Sequence, residues 1–140
     1  MLEIVATKDL KAAAHFTFNN MKPYYEMYAV DWNVEDIYQA TQGLKNFDIL
    51  CKGQHIGVVR LSFEEGRCQL RDIQIAAAYQ NKGYGAHIIA KVVDMARQQN
   101  VPFIDLKVFQ QSPAFKLYSR IGFTVDRGDD RFYYMSLQVK

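Results

Sequence analysis

Apolar residues near the start of the chain follow first a strand pattern and then a helical one. The run Leu2–Ala6 predicts a short strand. After it, Thr7 can cap a helix that extends to about Met21. Pro23 is expected to interrupt this helix, because proline has no backbone N–H to donate to the helical hydrogen bonds.

The middle of the chain is rich in β-branched and aromatic residues. A second helix precedes it, over Val34–Leu44 with Asn33 as its cap. Three consecutive strands are then predicted at Phe47–Cys51, Ile56–Phe63 and Cys68–Ile75. Because only short turns join these strands, we expect them to pair as an antiparallel meander.

The C-terminal half predicts alternating helices and strands. The apolar positions Ile88, Ile89, Val92, Val93 and Ala96 recur at helical spacing. The predicted elements are a helix over Gly83–Gln98, a strand over Phe103–Val108, a helix over Ser112–Arg120, and strands over Phe123–Val125 and Arg131–Gln138, the last two joined by the loop Asp126–Asp130. The order of all elements predicts one mixed α/β domain over residues 1–140.

Composition narrows the possible partners. Hydrophobic residues make up 49% and charged residues 23%, which is ordinary for a globular protein. The net charge of +2 gives no reason to expect nucleic acid or a membrane as partner. With no signal peptide, no membrane-length apolar run, and Cys51 and Cys68 expected to be reduced, we predict a cytoplasmic protein. The cysteines and histidines lack metal-ligand spacing, so no metal site is predicted.

The segment Gln80–Ala86 lies between a predicted strand and a long predicted helix. Free N–H groups and a partial positive charge at a helix N-terminus bind phosphate, and glycines let the backbone approach it. A Walker loop requires Gly-Lys followed by Ser or Thr, whereas the order here is Lys82-Gly83-Tyr84. The Rossmann fingerprint requires a third glycine where Ile88 stands. Taken alone, the segment is therefore either a simple turn before the helix or a different kind of phosphate site.

Two motifs together resemble one family. Ile73-Gln74-Ile75, followed after four residues by Gln80-Asn81-Lys82-Gly83-Tyr84-Gly85, is similar to the acetyl-CoA motif of the GNAT superfamily. Ser112-Pro113-Ala114, Leu117-Tyr118 and Ile121-Gly122-Phe123 resemble its second signature. The resemblance implies a GNAT fold, in which a mostly antiparallel sheet is splayed between its fourth and fifth strands and flanked by helices.

The same resemblance implies acetyl-CoA as the cofactor. Its pantetheine arm is expected in the gap between the strand ending at Ile75 and the strand Phe103–Val108, paired with the backbone of Ile73 and Ile75. Its pyrophosphate is expected on the amides of Gln80–Ala86, and an N–H near Ile75 would stabilise the oxyanion. The expected cofactor-binding residues are Ile73, Gln74, Ile75, Gln80, Asn81, Lys82, Gly83, Tyr84, Gly85, Ala86, Ser112 and Tyr118.

Three residues are candidates for proton transfer. The resemblance implies that Tyr118 protonates the departing thiolate, although an aromatic on an amphipathic helix also fits simple core packing. Asp72, on the same strand face as Gln74, and Glu26, in the aromatic segment, are candidate general bases. Both carboxylates also fit a solvated surface position, and a chain of ordered water can carry the proton instead.

The sequence says less about the acceptor of the acetyl group than about the cofactor. Tyr24, Tyr25, Tyr28 and Trp32 form either the wall of an amine pocket, with cation–π contacts, or an aromatic cap over the core. We expect direct acetyl transfer to a primary amine of a small molecule in a ternary complex.

Alternative functions stay open. Gly83-Tyr84-Gly85-Ala86-His87 resembles the histone acetyltransferase loop and suggests a protein substrate, but Gln69 stands where that branch has a glutamate base. Lys107 stands where ribosomal-protein N-terminal acetyltransferases have theirs, and Ser112 replaces the commoner Asn. A non-catalytic acyl-CoA sensor is the third interpretation. Both a monomer and a homodimer are compatible with the sequence.

Overall fold

Seven strands and four α-helices make up the protein in this computed structural model, which describes residues 2–139. The strands are β1 (Leu2–Ala6), β2 (Lys45–Cys51), β3 (Gln54–Glu64), β4 (Arg67–Ile75), β5 (Phe103–Phe109), β6 (Thr124–Gly128) and β7 (Phe132–Gln138). The helices are α1 (Leu10–Met27), α2 (Val34–Thr41), α3 (Tyr84–Gln98) and α4 (Ala114–Ile121). A single 3-10 turn, Ala77–Tyr79, precedes α3.

The strands form one hydrogen-bonded series in the order β1-β2-β3-β4-β5-β7-β6. Antiparallel pairing joins β1 to β2, β2 to β3, β5 to β7 and β6 to β7. The fourth and fifth strands pair in parallel, with Arg67 opposite Phe103 and Gln69 opposite Asp105. This mixed, mostly antiparallel α/β arrangement confirms the predicted fold class.

The chain divides into two compact units. The first contains residues 1–61 and 72–82, and the second contains residues 62–71 and 83–140. The fourth strand passes from the second unit into the first between Arg71 and Asp72. The prediction of a single domain over residues 1–140 stays a prediction.

Each unit has its own set of buried apolar side chains. In the first unit, the buried side chains include those of Ala13, Ala14, Ile37, Ile49, Ile56, Val58, Val59 and Leu61. In the second unit, they include those of Ile88, Ile89, Val92, Ala96, Ile104, Leu106, Val108, Tyr118, Phe123 and Met135. The helical spacing that predicted α3 therefore marks the face that the helix buries.

The first helix differs from the prediction at both ends. Asp9 is its N-cap and accepts the N–H of Ala12 at 3.0 Å, whereas the side chain of Thr7 bonds Asp48. The helix continues through Pro23 to Met27, so the prediction that it ends near Met21 was wrong. A proline deletes one helical hydrogen bond, but the bonds resume beyond it, where the N–H of Tyr28 reaches the Tyr24 carbonyl at 3.0 Å.

The other boundaries shift by a few residues. Asn33 caps α2 through the predicted side chain, in a capping box with Asp36, and the helix ends at Thr41 rather than Leu44. The sixth strand extends to Gly128, so part of the predicted loop Asp126–Asp130 is strand, because the chain keeps its pairing with β7 there. None of the helices within residues 2–139 is both long and apolar enough to cross a membrane.

Candidate active site

The start of α3 is built to leave its amides accessible. Gly83 is the N-cap, with φ of 82°, and Asn81 also has a positive φ of 60°. These left-handed angles suit glycine and asparagine better than other residues. The first turn of the helix contains no acidic residue. The N–H groups in the first turn of a helix point beyond its N-terminus, so those of Gly85 and Ala86 can donate to a bound anion.

Gly85 is needed for a different reason. A Cβ atom at this position would lie 2.7 Å from Cδ2 of Leu117, a residue of α4. The glycine therefore lets the first turn of α3 lie close to this leucine. Together with the exposed Lys82 beside the turn, these features fit the phosphates of coenzyme A.

The end of β4 is tied to the chain that follows it. The side chain of Gln80 reaches back and donates from Nε2 to the carbonyl of Ile75 at 2.8 Å. The N–H of Ala76 donates to the Ile56 carbonyl on β3, also at 2.8 Å. These bonds hold the segment between Ile75 and Gln80 in place, which positions the residues predicted to bind pantetheine and pyrophosphate.

A buried polar network surrounds Asp72. The guanidinium of Arg60 is fully buried and donates from Nη1 to Asp72 Oδ2 at 2.5 Å and to Thr17 Oγ1 at 2.7 Å. Its Nε donates to Asn46 Oδ1 at 2.7 Å. On the other side, Gln74 Nε2 donates to Asp72 Oδ1 at 2.7 Å. The predicted placement of Asp72 and Gln74 on one face of the strand is confirmed.

The network extends to the first helix. Asn20 Nδ2 donates to Gln74 Oε1 at 2.8 Å, so the amide of Gln74 bridges Asn20 and Asp72. Burial raises the pKa of Tyr25 to about 12, and the charge of Asp72 adds to the increase. Tyr25 also packs near Phe18, with ring centroids 6.4 Å apart.

Opposing effects act on the Asp72 carboxyl. Burial is the largest effect and raises its pKa above the usual range. The charge of Arg60 acts in the other direction, and so do hydrogen bonds from Gln74, Arg60 and the N–H of Ile73. The net pKa is raised, and a raised pKa brings a carboxylate closer to the range in which a general base works well.

Tyr118 and Ser112 lie in and before α4. Tyr118 is 5% exposed, and its ring centroid is 5.7 Å from that of Phe123. The backbone N–H groups of Gly122 and Phe123 both donate to the Tyr118 carbonyl and close the end of the helix. The hydroxyl of Ser112 accepts the N–H of Ala114 at 3.2 Å, so it helps to begin the same helix.

The structure divides the predicted aromatic set. Trp32 is 44% exposed and lines a shallow depression together with Asp31, Asp36, Gln39 and Ala40. Tyr24 and Tyr25 belong to the last turns of α1, and Tyr28 follows its end. Of these described tyrosines, none is among the residues that line the depression. The candidate base Glu26 is exposed on the last turn of α1.

Comparison with known proteins decides the family. The profile of the Acetyltransferase (GNAT) family matches residues 8–123. The chain belongs to the GNAT family of acetyltransferases. The predicted family is thereby confirmed, and so is acetyl-CoA as the cofactor that this family implies. A comparison with curated protein sequences finds no match.

Solved GNAT structures share the fold at low identity. The PaiA N-acetyltransferase from Thermoplasma acidophilum, solved with coenzyme A, matches with a TM-score of 0.77 at 18% identity, over 99% of each chain. The ribosomal-protein-S18-alanine N-acetyltransferase from Escherichia coli matches with a TM-score of 0.79 at 21% identity, over 100% of this chain and 95% of its own. Spermidine N-acetyltransferase from Vibrio cholerae, solved with CoA and spermine, matches with a TM-score of 0.75 at 19% identity, over 99% of this chain and 95% of its own.

Sequence reasoning missed the buried partner of Asp72 in this GNAT protein. Arg60 stands in the apolar run Ile56–Leu61, where a charged residue at a strand position interrupts an otherwise buried pattern. That interruption was a usable signal, because arginine is almost never fully buried without a partner. Thr17 and Asn46 gave no comparable signal, since both residue types are common on surfaces.

Proposed function

We propose that this GNAT protein transfers an acetyl group from acetyl-CoA to a primary amine of a small molecule, by direct attack in a ternary complex. The observation that carries the proposal is the start of α3, where a left-handed Gly83, an acid-free first turn and a close-packed Gly85 suit a phosphate-bearing ligand. Acetyl-CoA supplies an activated thioester when it is bound.

The proposed cofactor contacts fall into three groups. Backbone groups of Ile73 and Ile75 bind the pantetheine arm beside Gln74, and an N–H near Ile75 stabilises the oxyanion. Amides and side chains from Gln80 to Ala86 bind the pyrophosphate, and Lys82 adds a positive charge. Ser112 and Tyr118 make the remaining contacts. The Gln80 side chain supports this arrangement, because its bond to the Ile75 carbonyl orders the turn between β4 and α3.

Tyr118 is the proposed general acid for the departing thiolate. Its place in the second family signature motivates the role, and its burial supports it. A hydroxyl held away from bulk water transfers a proton to one defined partner, which is what a general acid requires. Packing against Phe123 restricts the χ1 rotamers of Tyr118 and therefore the position of its hydroxyl.

Asp72 is the stronger of the two proposed bases. It combines a raised pKa with hydrogen bonds that hold its orientation, whereas Glu26 is exposed at the end of α1. A carboxylate that is fixed in position donates its lone pairs in a defined direction. Glu26 and a chain of ordered water are the competing routes for the proton.

The acceptor is proposed to be a small cationic amine. No Lys, Arg or His occurs in residues 23–44, whereas Glu26, Asp31, Glu35 and Asp36 lie there. The exposed indole of Trp32 beside Asp31 and Asp36 suits an ammonium group through cation–π and charge attraction. Tyr24, Tyr25 and Tyr28 are proposed to contact the same amine. One solved relative in fold, from Vibrio cholerae, is a spermidine acetyltransferase.

A protein substrate is the second candidate, because the Escherichia coli relative in fold acts on a ribosomal protein. The residue types at two positions favour the small-molecule proposal. Lys107 places its Nζ over the ring of Phe132 at 4.6 Å, and Gln69 donates to Asp105 at 3.0 Å. Neither residue supplies the carboxylate base that the protein-acetylating branches place there.

The test is release of free thiol from acetyl-CoA in the presence of a panel of amines. Turnover with at least one small amine is expected, together with CoA binding by calorimetry. Absence of CoA binding would refute the proposal. Mass spectrometry of candidate proteins after incubation with acetyl-CoA distinguishes a protein acetyltransferase, and tight CoA binding without any turnover would indicate a sensor. Cytoplasmic location and the choice between monomer and homodimer are separate predictions, for cell fractionation and light scattering.

A further inference from the structure

Arg60 is a fully buried cation with one nitrogen left over. Its Nε and Nη1 donate to Asn46, Thr17 and Asp72, as described above. Its Nη2 is also buried and has no hydrogen-bond partner among the described residues. A guanidinium carries five N–H donors, so the network around Arg60 leaves part of this donor set unmatched.

Stability alone does not explain this residue. A buried donor without a partner destabilises the folded state, and the cost is larger when the group is charged. Replacing a buried ion pair by apolar residues of similar volume is often neutral or stabilising. Val58, two residues earlier and on the same face of β3, is also buried, so an apolar residue would suit the position. A role in holding a neighbouring group therefore explains the arginine better than a contribution to stability does.

What it holds is a carboxylate that reaches the surface. The side chain of Arg60 is 0% exposed, whereas that of Asp72 is 20% exposed. A ligand that approaches the pair can therefore touch the carboxylate but not the guanidinium. Asp72 accepts bonds from Arg60, from Gln74 and from the N–H of Ile73, and a carboxylate has about four lone-pair sites. One site is left for an incoming N–H.

We propose that Arg60 is a positioning residue for acetyl transfer, which holds Asp72 ionised and oriented so that its free lone pair takes the proton of the acceptor ammonium. The inference rests on the proposed function. In this step one N–H bond of the ammonium breaks and an O–H bond forms on Asp72. The amine keeps the electron pair of the broken bond and becomes the neutral nucleophile.

Few charged or titratable groups face the carboxylate of Asp72. Arg60 faces it from β3, and the phenol of Tyr25 faces it from α1. Gln74, on β4 itself, adds an uncharged donor. Because Tyr25 has a raised pKa of about 12, it stays neutral, and Arg60 is the charge that keeps the buried carboxylate ionised. Without Arg60, only the hydrogen bonds from Gln74 and the N–H of Ile73 oppose the effect of burial on the pKa of Asp72.

The experiment measures kcat/KM against pH for acetyl-CoA with spermidine as the probe amine, or with whichever amine of the panel the wild type uses. Arg60→Met removes the charge and keeps an unbranched apolar side chain. We expect the acid limb of its profile to lie at least about one pH unit above that of the wild type, the smallest usual effect of a close opposite charge. Arg60→Lys keeps the charge, so its acid limb is expected to lie between that of Arg60→Met and that of the wild type.

A matched control separates this effect from a change in net charge. Arg71 precedes Asp72 on β4, is exposed, and points to the strand face opposite to that of Asp72. Arg71→Met therefore removes the same charge without touching the network around Asp72. Its acid limb is expected to coincide with that of the wild type. If Arg60→Met fails to fold, Asn46→Asp replaces it, because a carboxylate 2.7 Å from Arg60 Nε would compete for the guanidinium and displace the limb in the same direction.

Carboxyl NMR titration of Asp72 in the CoA-free protein provides a readout that does not need turnover. The pKa of Asp72 is expected to rise in Arg60→Met in step with the acid limb. An unchanged pKa of Asp72, or a changed pKa with an unmoved limb, would overturn the role of Arg60. Failure of the proposed function itself is recognised separately, because the wild type would then acetylate no amine before any variant is compared.

Discussion

Gly57 offers a sharp test of how closely β3 and β4 pack in the first unit. It is buried on β3, and a Cβ atom built on it would overlap the carbonyl oxygen of Gln74. The same atom would lie 3.2 Å from the Gln74 carbonyl carbon and 3.2 Å from Cδ1 of Ile49. The Ile49 methyl can rotate away, but the backbone of β4 cannot, so Gly57→Ala must displace the strand that carries Asp72 and Gln74.

The expected loss of stability follows from this geometry. Overpacking a core costs typically about 1–3 kcal/mol, and the upper part of that range applies where backbone rather than a side chain must move. For a chain of 140 residues, a loss of about 1–3 kcal/mol corresponds to a fall in Tm of about 3–10 °C. Since Gln74 holds the Asp72 carboxylate, we also expect the acid limb of the activity profile to move.

Gly43→Ala is the matched control. Nothing lies within 4 Å of a Cβ atom at Gly43, and its φ is outside the left-handed region. The same substitution there is expected to leave Tm unchanged or to raise it slightly, because alanine reduces the freedom of the unfolded chain. Thermal unfolding followed by circular dichroism compares the two variants. Equal Tm values for Gly57→Ala and Gly43→Ala would refute the reasoning.

Three further predictions address the second unit. Tyr118→Phe should lower kcat at least tenfold with little change in the Kd for CoA, and unchanged turnover would remove Tyr118 from the role of acid. Gly85→Ala should weaken CoA binding, because its Cβ would lie 2.7 Å from Leu117. Adding Leu117→Ala to this variant should restore part of the binding. Calorimetry that shows no restoration would contradict this reasoning. Asp105 has a lowered pKa, chiefly through the hydrogen bond from Arg67, so its stabilisation is present above its unfolded pKa of about 3.9 and is lost as pH falls through the lower folded pKa. Asp105→Asn should therefore be less stable than the wild type in urea at pH 7, and a gap that stayed undiminished at pH 2.5 would count against the ion pair.

Most elements could be predicted because their signals are local. The helical spacing of Ile88, Ile89 and Val92 marked α3, and Asn33 capped α2 as expected. The prediction that α1 ends before Pro23 failed because the proline removes only one hydrogen bond. The helical bonds on both sides of it outweigh that loss. The end of β6 depended on pairing with β7, which no local pattern reports.

The sequence by itself determined the family and the cofactor. Gln80–Ala86 is one contiguous segment at a helix N-terminus, so its composition alone carries its chemistry, and the second signature around Tyr118 completes it. The pair of Arg60 and Asp72 was decided only by the tertiary structure. Twelve residues separate them, and neither pairing nor burial can be read from either residue alone, because both arise when β3, β4 and α1 pack together. The sequence thus specified the family and its cofactor, and packing in three dimensions decided that Asp72 is held by a buried arginine.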